Sequence, residues 1–285
     1  MASLNEKDLR KEIGRFLSDR GIDLFGFAPV SRWEKYDEVH PDFRPQELFP
    51  TKTVIVAGMG MPLPIVETTP SAIHMELYRT VNRELDSTGY YLARFLNQKG
   101  IPSISFPRDG YGSIQIIKEK PGAAFAHVNA AKYAGLGTIG VNNVLLTPQF
   151  GPRVRWVSVL TEMEFEGSPM IENELCIRCL ACARCCPVDA IIPRDDRFKP
   201  DFKSLPCANR AEELTKRRCY PCGICIKVCP VGEDRKLFAS EESMSLYLNE
   251  QGEGKDPLDV KLYKRWKHFR KWGSWTEEEM KDGKK

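Results

Sequence analysis

Ten cysteines occupy one short stretch of this 285-residue chain and constrain its fold more than any other feature. All ten lie between Cys176 and Cys229, so the preceding 175 residues contain none. A small secreted domain held by disulfides distributes its cysteines over the whole fold. Cysteines crowded at one end of a long chain indicate metal ligands instead.

The cysteines form two copies of the spacing C-x2-C-x2-C-x3-C, each followed by proline. The copies are Cys176, Cys179, Cys182, Cys186 and Cys219, Cys222, Cys225, Cys229. This spacing is typical of two-cluster [4Fe–4S] ferredoxins, in which the fourth cysteine of each motif binds the other cluster. Such an exchange would join Cys229 to the first three cysteines, and Cys186 to the second motif. The alternative is zinc, but zinc ribbons use C-x2-C pairs rather than triplets.

Overall composition excludes several other classes of protein. The net charge of +3 does not by itself indicate a nucleic-acid partner. No run of eighteen apolar residues predicts a membrane span. The N-terminal segment has neither an apolar signal core nor a twin-arginine pair. We therefore expect a cytoplasmic protein that does not act at a membrane.

Hydrophobic periodicity predicts an α+β fold. Helices are expected over 6–20, 72–98 and 123–134, and strands over 23–30, 53–61, 144–147 and 153–161. We divide the chain into an α+β cofactor and substrate domain (1–169), a double-cluster module (170–238) and a helical tail (239–285). In the tail, Tyr263, Trp266, Phe269 and Trp272 recur every third residue. This face is expected to pack on the body, and docking of a partner, with nucleic acid not excluded, is the alternative.

A glycine-rich turn, AGLGTIG, follows the Ala-rich segment. Gly135, Gly137 and Gly140 remove side chains there, which would let a flat ligand lie against the backbone. The alternative is a helix C-cap followed by a tight turn. We predict cofactor contact at these three glycines and at Asn142.

The segment AAKYAGLGTIGVNNVLLTPQFGPRVRWVSVLT, followed by CIRCLACARCCPVDAI and CGICIKVCPVG, resembles the epoxyqueuosine reductase and reductive dehalogenase superfamily. The upstream segment PQELFPTKTVIVAGMGMPL is similar to the first core strand of that family. The resemblance implies a nitroreductase-like domain that holds a corrinoid (cobalamin), beside a ferredoxin-like module with two [4Fe–4S] clusters. It also implies a low-potential electron donor of the ferredoxin or flavodoxin type, and a small-molecule or modified-nucleoside substrate.

The chain departs from this family at several positions. The acidic residue of the V-D-S-A-P stretch of epoxyqueuosine reductases falls here near Lys120 and Pro121, and Asp109 would replace it only in a shifted register. The C-terminal helical repeats and the export signal found in some members are not evident. Related proteins place one cluster ligand where Cys207 stands, so the resemblance favours Cys207 whereas the motif spacing favours Cys219. Cys185 lies outside the motif spacing and is expected to be a spare thiol beside Cys186.

Four further residues are candidates for catalysis. His127 is a potential proton donor because imidazole titrates near neutral pH. Tyr78, followed by Arg79, would offer a phenol and a cation to an anionic intermediate, and Tyr111 and Asp109 lie on the loop RDGYG. Each of these side chains has an ordinary structural role as the alternative.

Together these features predict an iron–sulfur oxidoreductase. Electrons would pass through two [4Fe–4S] clusters to a corrinoid or a substrate site in the N-terminal domain. The alternative is an electron-transfer or activator protein that reduces a partner, such as a corrinoid protein, without a substrate of its own.

Overall fold

The computed structural model describes residues 5–108, 113–119 and 123–237. Its helices are α1 Glu6–Ser18, α2 Ser31–Tyr36, α3 Pro45–Leu48, α4 Leu63–Val66, α5 Ala72–Gln98, α6 Ile114–Glu119, α7 His127–Tyr133, α8 Ala181–Arg184, α9 Ser204–Lys216, α10 Ile224–Lys227 and α11 Asp234–Leu237, with a 3-10 turn at Pro41–Phe43. Its strands are β1 Leu24–Pro29, β2 Thr53–Gly60, β3 Ser103–Phe106, β4 Thr138–Ile139, β5 Leu145–Leu146, β6 Val154–Thr161, β7 Ile191–Ile192 and β8 Asp201–Phe202. The mixed helix and sheet architecture that the sequence predicts is confirmed.

A four-stranded antiparallel sheet forms the centre of the fold, in the order β1-β2-β6-β3. In the register of the two central strands, Ala57 lies opposite Val157. The first six residues of β2 are all buried, as expected for a strand that is covered on both faces. The paired two-residue strands β4 and β5 lie between α7 and β6 in the chain and form a separate small hairpin.

Helices cover both faces of the sheet. On one face α5 packs against β6 and β3, and its Leu85 joins Ile55 and Val157 in one apolar cluster. On the other face α7 packs against β1, β2 and β6, and its Tyr133 joins a second cluster. Because successive strand residues point to opposite faces, neighbouring positions of β6 contribute to different clusters. Two separate cores are therefore built on one sheet.

The helix expected over 123–134 begins only at His127. The aromatic ring of Phe125, just before it, is buried between the rings of Phe106 and His127, with centroid distances of 5.2 Å to each. This packing holds the preceding backbone out of the helix, so tertiary contacts override the helical propensity of the alanines. The helix ends as predicted, with Gly135 at a φ of +74°.

Beyond β6 the described chain contains short elements and one longer helix, α9. Division of the chain at residues 169 and 238 stays a prediction, and the aromatic tail at 239–285 lies outside the described residues. Within the described part of the chain, no helix has the length and apolar character needed to cross a bilayer.

Candidate metal centre and redox site

Eight of the ten cysteines line two separate cavities, four at each. The first cavity is lined by Cys176, Cys179, Cys182 and Cys229. The second, of about 310 Å³, is lined by Cys186, Cys207, Cys222 and Cys225. Each set draws on both halves of the cysteine region, and the fourth cysteine of each motif lies with the other set. Within the described residues no group of three or more His, Cys, Asp or Glu side chains is arranged to hold a single metal ion. The two sets of cysteines are therefore defined by the cavity that each thiol lines.

The protonation behaviour of the thiols follows the same grouping. Burial raises the pKa of Cys182 to about 12, and the neighbouring Cys229 adds to this effect. Burial also raises the pKa of Cys207 to about 11, with further contributions from Cys222 and Cys186. Since only the thiolate binds metal, occupation of either cavity must release protons.

The two C-x2-C segments that enter the cavities repeat one backbone conformation. Leu180 and Gly223 stand at equivalent positions, with φ of 60° and 65°, and each precedes a four-residue helix. Such a turn directs successive peptide N–H groups into a concave surface that suits an anionic ligand. At the second cavity the N–H of Ala190 donates to Sγ of Cys186 over 3.2 Å. These donors fit an anionic iron–sulfur cluster.

Cys219 and Cys185 line neither cavity. Cys219 is buried, and its thiol donates to the carbonyl oxygen of Leu214 over 3.7 Å. Cys185 packs in a small apolar cluster with Ala181 and Val228. Helix α9 instead brings Cys207 to the second cavity, in the place where the motif spacing alone would put Cys219. The ligand assignment of both residues stays a prediction.

The three glycines of the AGLGTIG turn are packed against protein. A Cβ atom at Gly135 would lie 1.9 Å from the carbonyl oxygen of Pro169, and one at Gly137 would lie 1.9 Å from that of Leu146. At Gly140 it would lie 2.8 Å from Cδ1 of Leu146. Close packing of the chain on itself already requires glycine at these positions, and contact of their backbone with a cofactor stays a prediction. Asn142, expected at the same cofactor, is buried and lines both cysteine cavities.

Tyr78 lies on the buried face of α5 beside the cysteine region. The edge of its ring meets Tyr220, with 5.7 Å between centroids. The guanidinium of Arg155 lies 4.6 Å from the ring centroid of Tyr78 and donates to Oδ1 of Asn82 over 3.0 Å. The cation beside Tyr78 is therefore Arg155 rather than the expected Arg79, which is exposed and pairs with Glu76 at 3.0 Å. The sequence signal for Arg155 was that it is the one charged residue in the strand VRWVSVLT.

His74, one helical turn before Tyr78, was not singled out from the sequence. It is 1% exposed, and burial lowers its pKa to about 4, so its imidazole is neutral. The hydroxyl of Thr69 donates to the carbonyl oxygen of Cys222 over 2.7 Å and lies 3.0 Å from Nδ1 of His74. This network assigns the imidazole proton to Nδ1. Within the described structure Nε2 of His74 and Nδ2 of Asn82 are buried without a hydrogen-bond partner.

His127 lies on the other face of the sheet. Its Nδ1 is 2.8 Å from the hydroxyl of Ser158, and its Nε2 is 2.9 Å from the carbonyl oxygen of Pro107. Ser158 and Arg155 are three positions apart in β6, so they point to opposite faces. The structure therefore separates His127 from Tyr78. The other two catalytic candidates, Asp109 and Tyr111, lie outside the described residues.

Comparison with known proteins relates the chain to reductive dehalogenases and epoxyqueuosine reductases, although no family model matches it. It is 28% identical over 239 residues to the tetrachloroethene reductive dehalogenase of Dehalobacter restrictus, a match that covers 78% of this chain and 39% of the dehalogenase. It is 23% identical over 249 residues to the epoxyqueuosine reductase of Bacillus cereus, which covers 79% of this chain and 64% of the reductase. A solved reductive dehalogenase structure, described with a mechanism for B12-dependent dehalogenation, superposes with a TM-score of 0.60 at 19% identity, over 92% of this chain and 39% of that one.

By sequence, the chain is a homologue of the reductive dehalogenases and the epoxyqueuosine reductases. The structural match shows that it shares their fold. It spans about two fifths of the length of the dehalogenases that it matches.

Proposed function

We propose that the protein is an iron–sulfur oxidoreductase with a [4Fe–4S] cluster in each cysteine cavity. The observation that carries this proposal is the grouping of eight cysteines into two sets of four, each drawn from both halves of the cysteine region. Exchange of the fourth cysteine between motifs is the pattern of two-cluster ferredoxins. When bound, the clusters would supply one-electron transfer at low potential, and the homology to reductases supports that chemistry.

The surroundings of the two cavities suggest the direction of electron flow. Ile177, between two cysteines of the first cavity, is 68% exposed. A donor of the ferredoxin or flavodoxin type would approach at this loop. The second cavity adjoins α5, because Gly223 in its wall packs against the ring of His74 and the hydroxyl of Thr69. Electrons would therefore leave from the second cluster toward the N-terminal domain.

The acceptor site in this proposal is the polar face of α5, which we define as His74, Tyr78 and Asn82 with Arg155 opposite. It lies beside the second cysteine set, and among the described residues Nε2 of His74 and Nδ2 of Asn82 are buried without a hydrogen-bond partner. Arg155 would hold a negative charge there, and Tyr78 would donate a proton to the reduced substrate. The substrate would be a small molecule or a modified nucleoside.

A corrinoid is the cofactor that the relatives suggest. Bound at this face, it would supply a strongly reducing cobalt centre, and Nδ2 of Asn82 could donate to the amide side chains of such a group. At the AGLGTIG turn, protein atoms fill the side-chain direction of all three glycines, which leaves less room for a corrinoid there. That filled turn favours a second candidate function: an electron-transfer protein that reduces a partner, such as a corrinoid protein.

Titration of cobalamin into the anaerobic, cluster-loaded protein separates these two functions. The reductase proposal expects a change in the corrinoid absorption bands with saturation below about 50 µM. Asn82→Leu should weaken this binding several-fold, whereas Arg79→Gln, a change at an exposed residue of the same helix, should not. Two intact clusters with no cobalamin binding would replace the reductase proposal by the electron-transfer function.

A further inference from the structure

Two buried arginines donate hydrogen bonds to the backbone around Cys229, the cysteine that the second motif contributes to the first cavity. Arg153 is 0% exposed and Arg235 is 3% exposed. Arg153 directly precedes β6 of the central sheet, and Arg235 lies in α11. Both donate to the same carbonyl oxygen, that of Cys229, at 3.1 Å from Nη1 of Arg153 and 3.0 Å from Nε of Arg235.

Each arginine also holds a carbonyl oxygen on one side of this cysteine. Nη2 of Arg153 donates to the carbonyl of Val231 over 2.6 Å, and Nη2 of Arg235 donates to the carbonyl of Lys227. The backbone from residue 227 to residue 231 is thus held from both sides. We call Arg153 and Arg235 the arginine clamp.

Each arginine of the clamp pairs with one carboxylate. Asp234 accepts two hydrogen bonds of 2.6 Å from Arg153, at Nε and Nη2, in a bidentate pair. Glu67, at the end of α4, accepts a bond of 2.8 Å from Arg235 and is itself 2% exposed. In each pair the guanidinium hydrogen-bonds to the carbonyl oxygen of Cys229, and the carboxylate hydrogen-bonds to the guanidinium.

Charges buried at this depth act more strongly than surface charges, because little water screens them. Reduction adds one negative charge to a cluster, so a nearby cation stabilises the reduced state and a nearby carboxylate destabilises it. The second cavity has a different arrangement: Arg210, which lines it, pairs with Glu213 over 2.7 Å, and both side chains are more exposed than those of the clamp pairs. The two cavities therefore have unequal electrostatic environments.

We propose that Arg153 and Arg235 are positioning residues that hold Cys229 on the first cluster, and that the charge of the clamp sets the reduction potential of this cluster separately from the second. This inference rests on the proposed function, since it requires a cluster in each cavity. It assigns a redox-tuning role to Glu67 and Asp234 as well, which lie outside both cysteine motifs.

The test is a redox titration of the cluster-loaded protein, followed by electron paramagnetic resonance. Glu67→Gln and Asp234→Asn keep the size and one acceptor oxygen of each side chain while removing its negative charge. Each should shift one potential to a more positive value, and it should be the same potential in both variants. Arg210→Gln should shift the other potential to a more negative value, and Glu76→Gln at the exposed surface should shift neither.

Two results would overturn the clamp proposal. One is that neither Glu67→Gln nor Asp234→Asn changes either of the two reduction potentials of the wild type. The other is that Glu67→Gln or Asp234→Asn shifts the same reduction potential that Arg210→Gln shifts. Both are distinct from failure of the proposed function, which would appear as wild-type protein without two iron–sulfur signals. If one substitution prevents folding, as judged by circular dichroism, the other gives the same reading independently.

Discussion

Cys186 and Cys207 line the same cavity, although Cys186 ends the first cysteine motif and Cys207 lies on helix α9, outside the motif spacing. Their thiols are close enough for Cys186 to contribute to the raised pKa of Cys207, after burial and Cys222. Cys219, which completes the second motif by spacing, is buried elsewhere against Leu214. The second cluster is therefore expected to use a ligand that the motif spacing does not include.

Replacement of these two cysteines should have unequal effects. Cys207→Ser is expected to lower the iron content from about eight to about four atoms per chain, because one of two cubanes loses a ligand. Cys219→Ser should keep about eight, since its side chain lines neither cavity. Iron analysis after anaerobic reconstitution measures both. Equal iron loss in the two variants would show that the second site has been misassigned, and Cys185→Ser serves as the control for loss of a buried thiol.

Gly137 should be intolerant of any side chain, whether or not a cofactor is present. Gly137→Ala would place Cβ 1.9 Å from the carbonyl oxygen of Leu146, so the turn must separate from β5. We expect a large fall in melting temperature or insoluble protein, in line with overpacking costs of roughly 1–3 kcal/mol or more. Gly14→Ala is the matched control, since its Cβ would meet only the tip of the Phe25 ring at 3.3 Å within a helix that favours alanine.

Circular dichroism melting of both glycine variants measures the difference. A Gly137→Ala protein as stable as the wild type, but with weaker cobalamin binding, would restore the view that this turn faces a ligand.

The sequence predicted the main elements well where local pattern decides them. The apolar residues of α1 recur on one face, and Leu9, Ile13 and Leu17 are buried as that pattern requires. Continuous β-branched residues identified β2 as a strand covered on both faces. The cysteine spacing indicated four ligand positions at each cavity, although the one-dimensional pattern does not show which thiol a neighbouring helix delivers.

The candidate site was harder to predict because contacts distant in sequence form it. Tyr78 and His127 were grouped as one set of candidates, yet opposite faces of β6 separate their partners Arg155 and Ser158. Glycine composition did not reveal that Gly137 and Gly140 pack closely on Leu146. The arginine clamp had no sequence signal, since Arg153 and Arg235 are far apart in the chain.

The buried His74 should make the stability of the fold depend on pH. Burial lowers its pKa from 6.5 to about 4, so between these values the unfolded chain binds the proton and the folded chain does not. The contribution of the neutral His74 to the free energy of unfolding is therefore fully present above about pH 6.5, and it decreases as the pH falls toward 4. The loss from this group between pH 7.5 and pH 5 is about 2 kcal/mol.

Melting temperatures of the wild type and of His74→Gln, measured at pH 7.5 and at pH 5, test this effect. The wild type should lose more stability than the variant on acidification. His40→Gln, a change at an exposed histidine, should leave the wild-type profile unchanged. A His74→Gln profile as steep as that of the wild type would mean that other groups govern the acid sensitivity.

The central claim is that the two cysteine cavities hold two [4Fe–4S] clusters, and the metal content of the intact chain tests it most directly. Protein prepared without oxygen should contain about eight irons and about eight inorganic sulfides per chain. On reduction with dithionite it should give the paramagnetic resonance signal of two interacting [4Fe–4S] centres. Stoichiometric zinc with almost no iron and no sulfide would contradict the account.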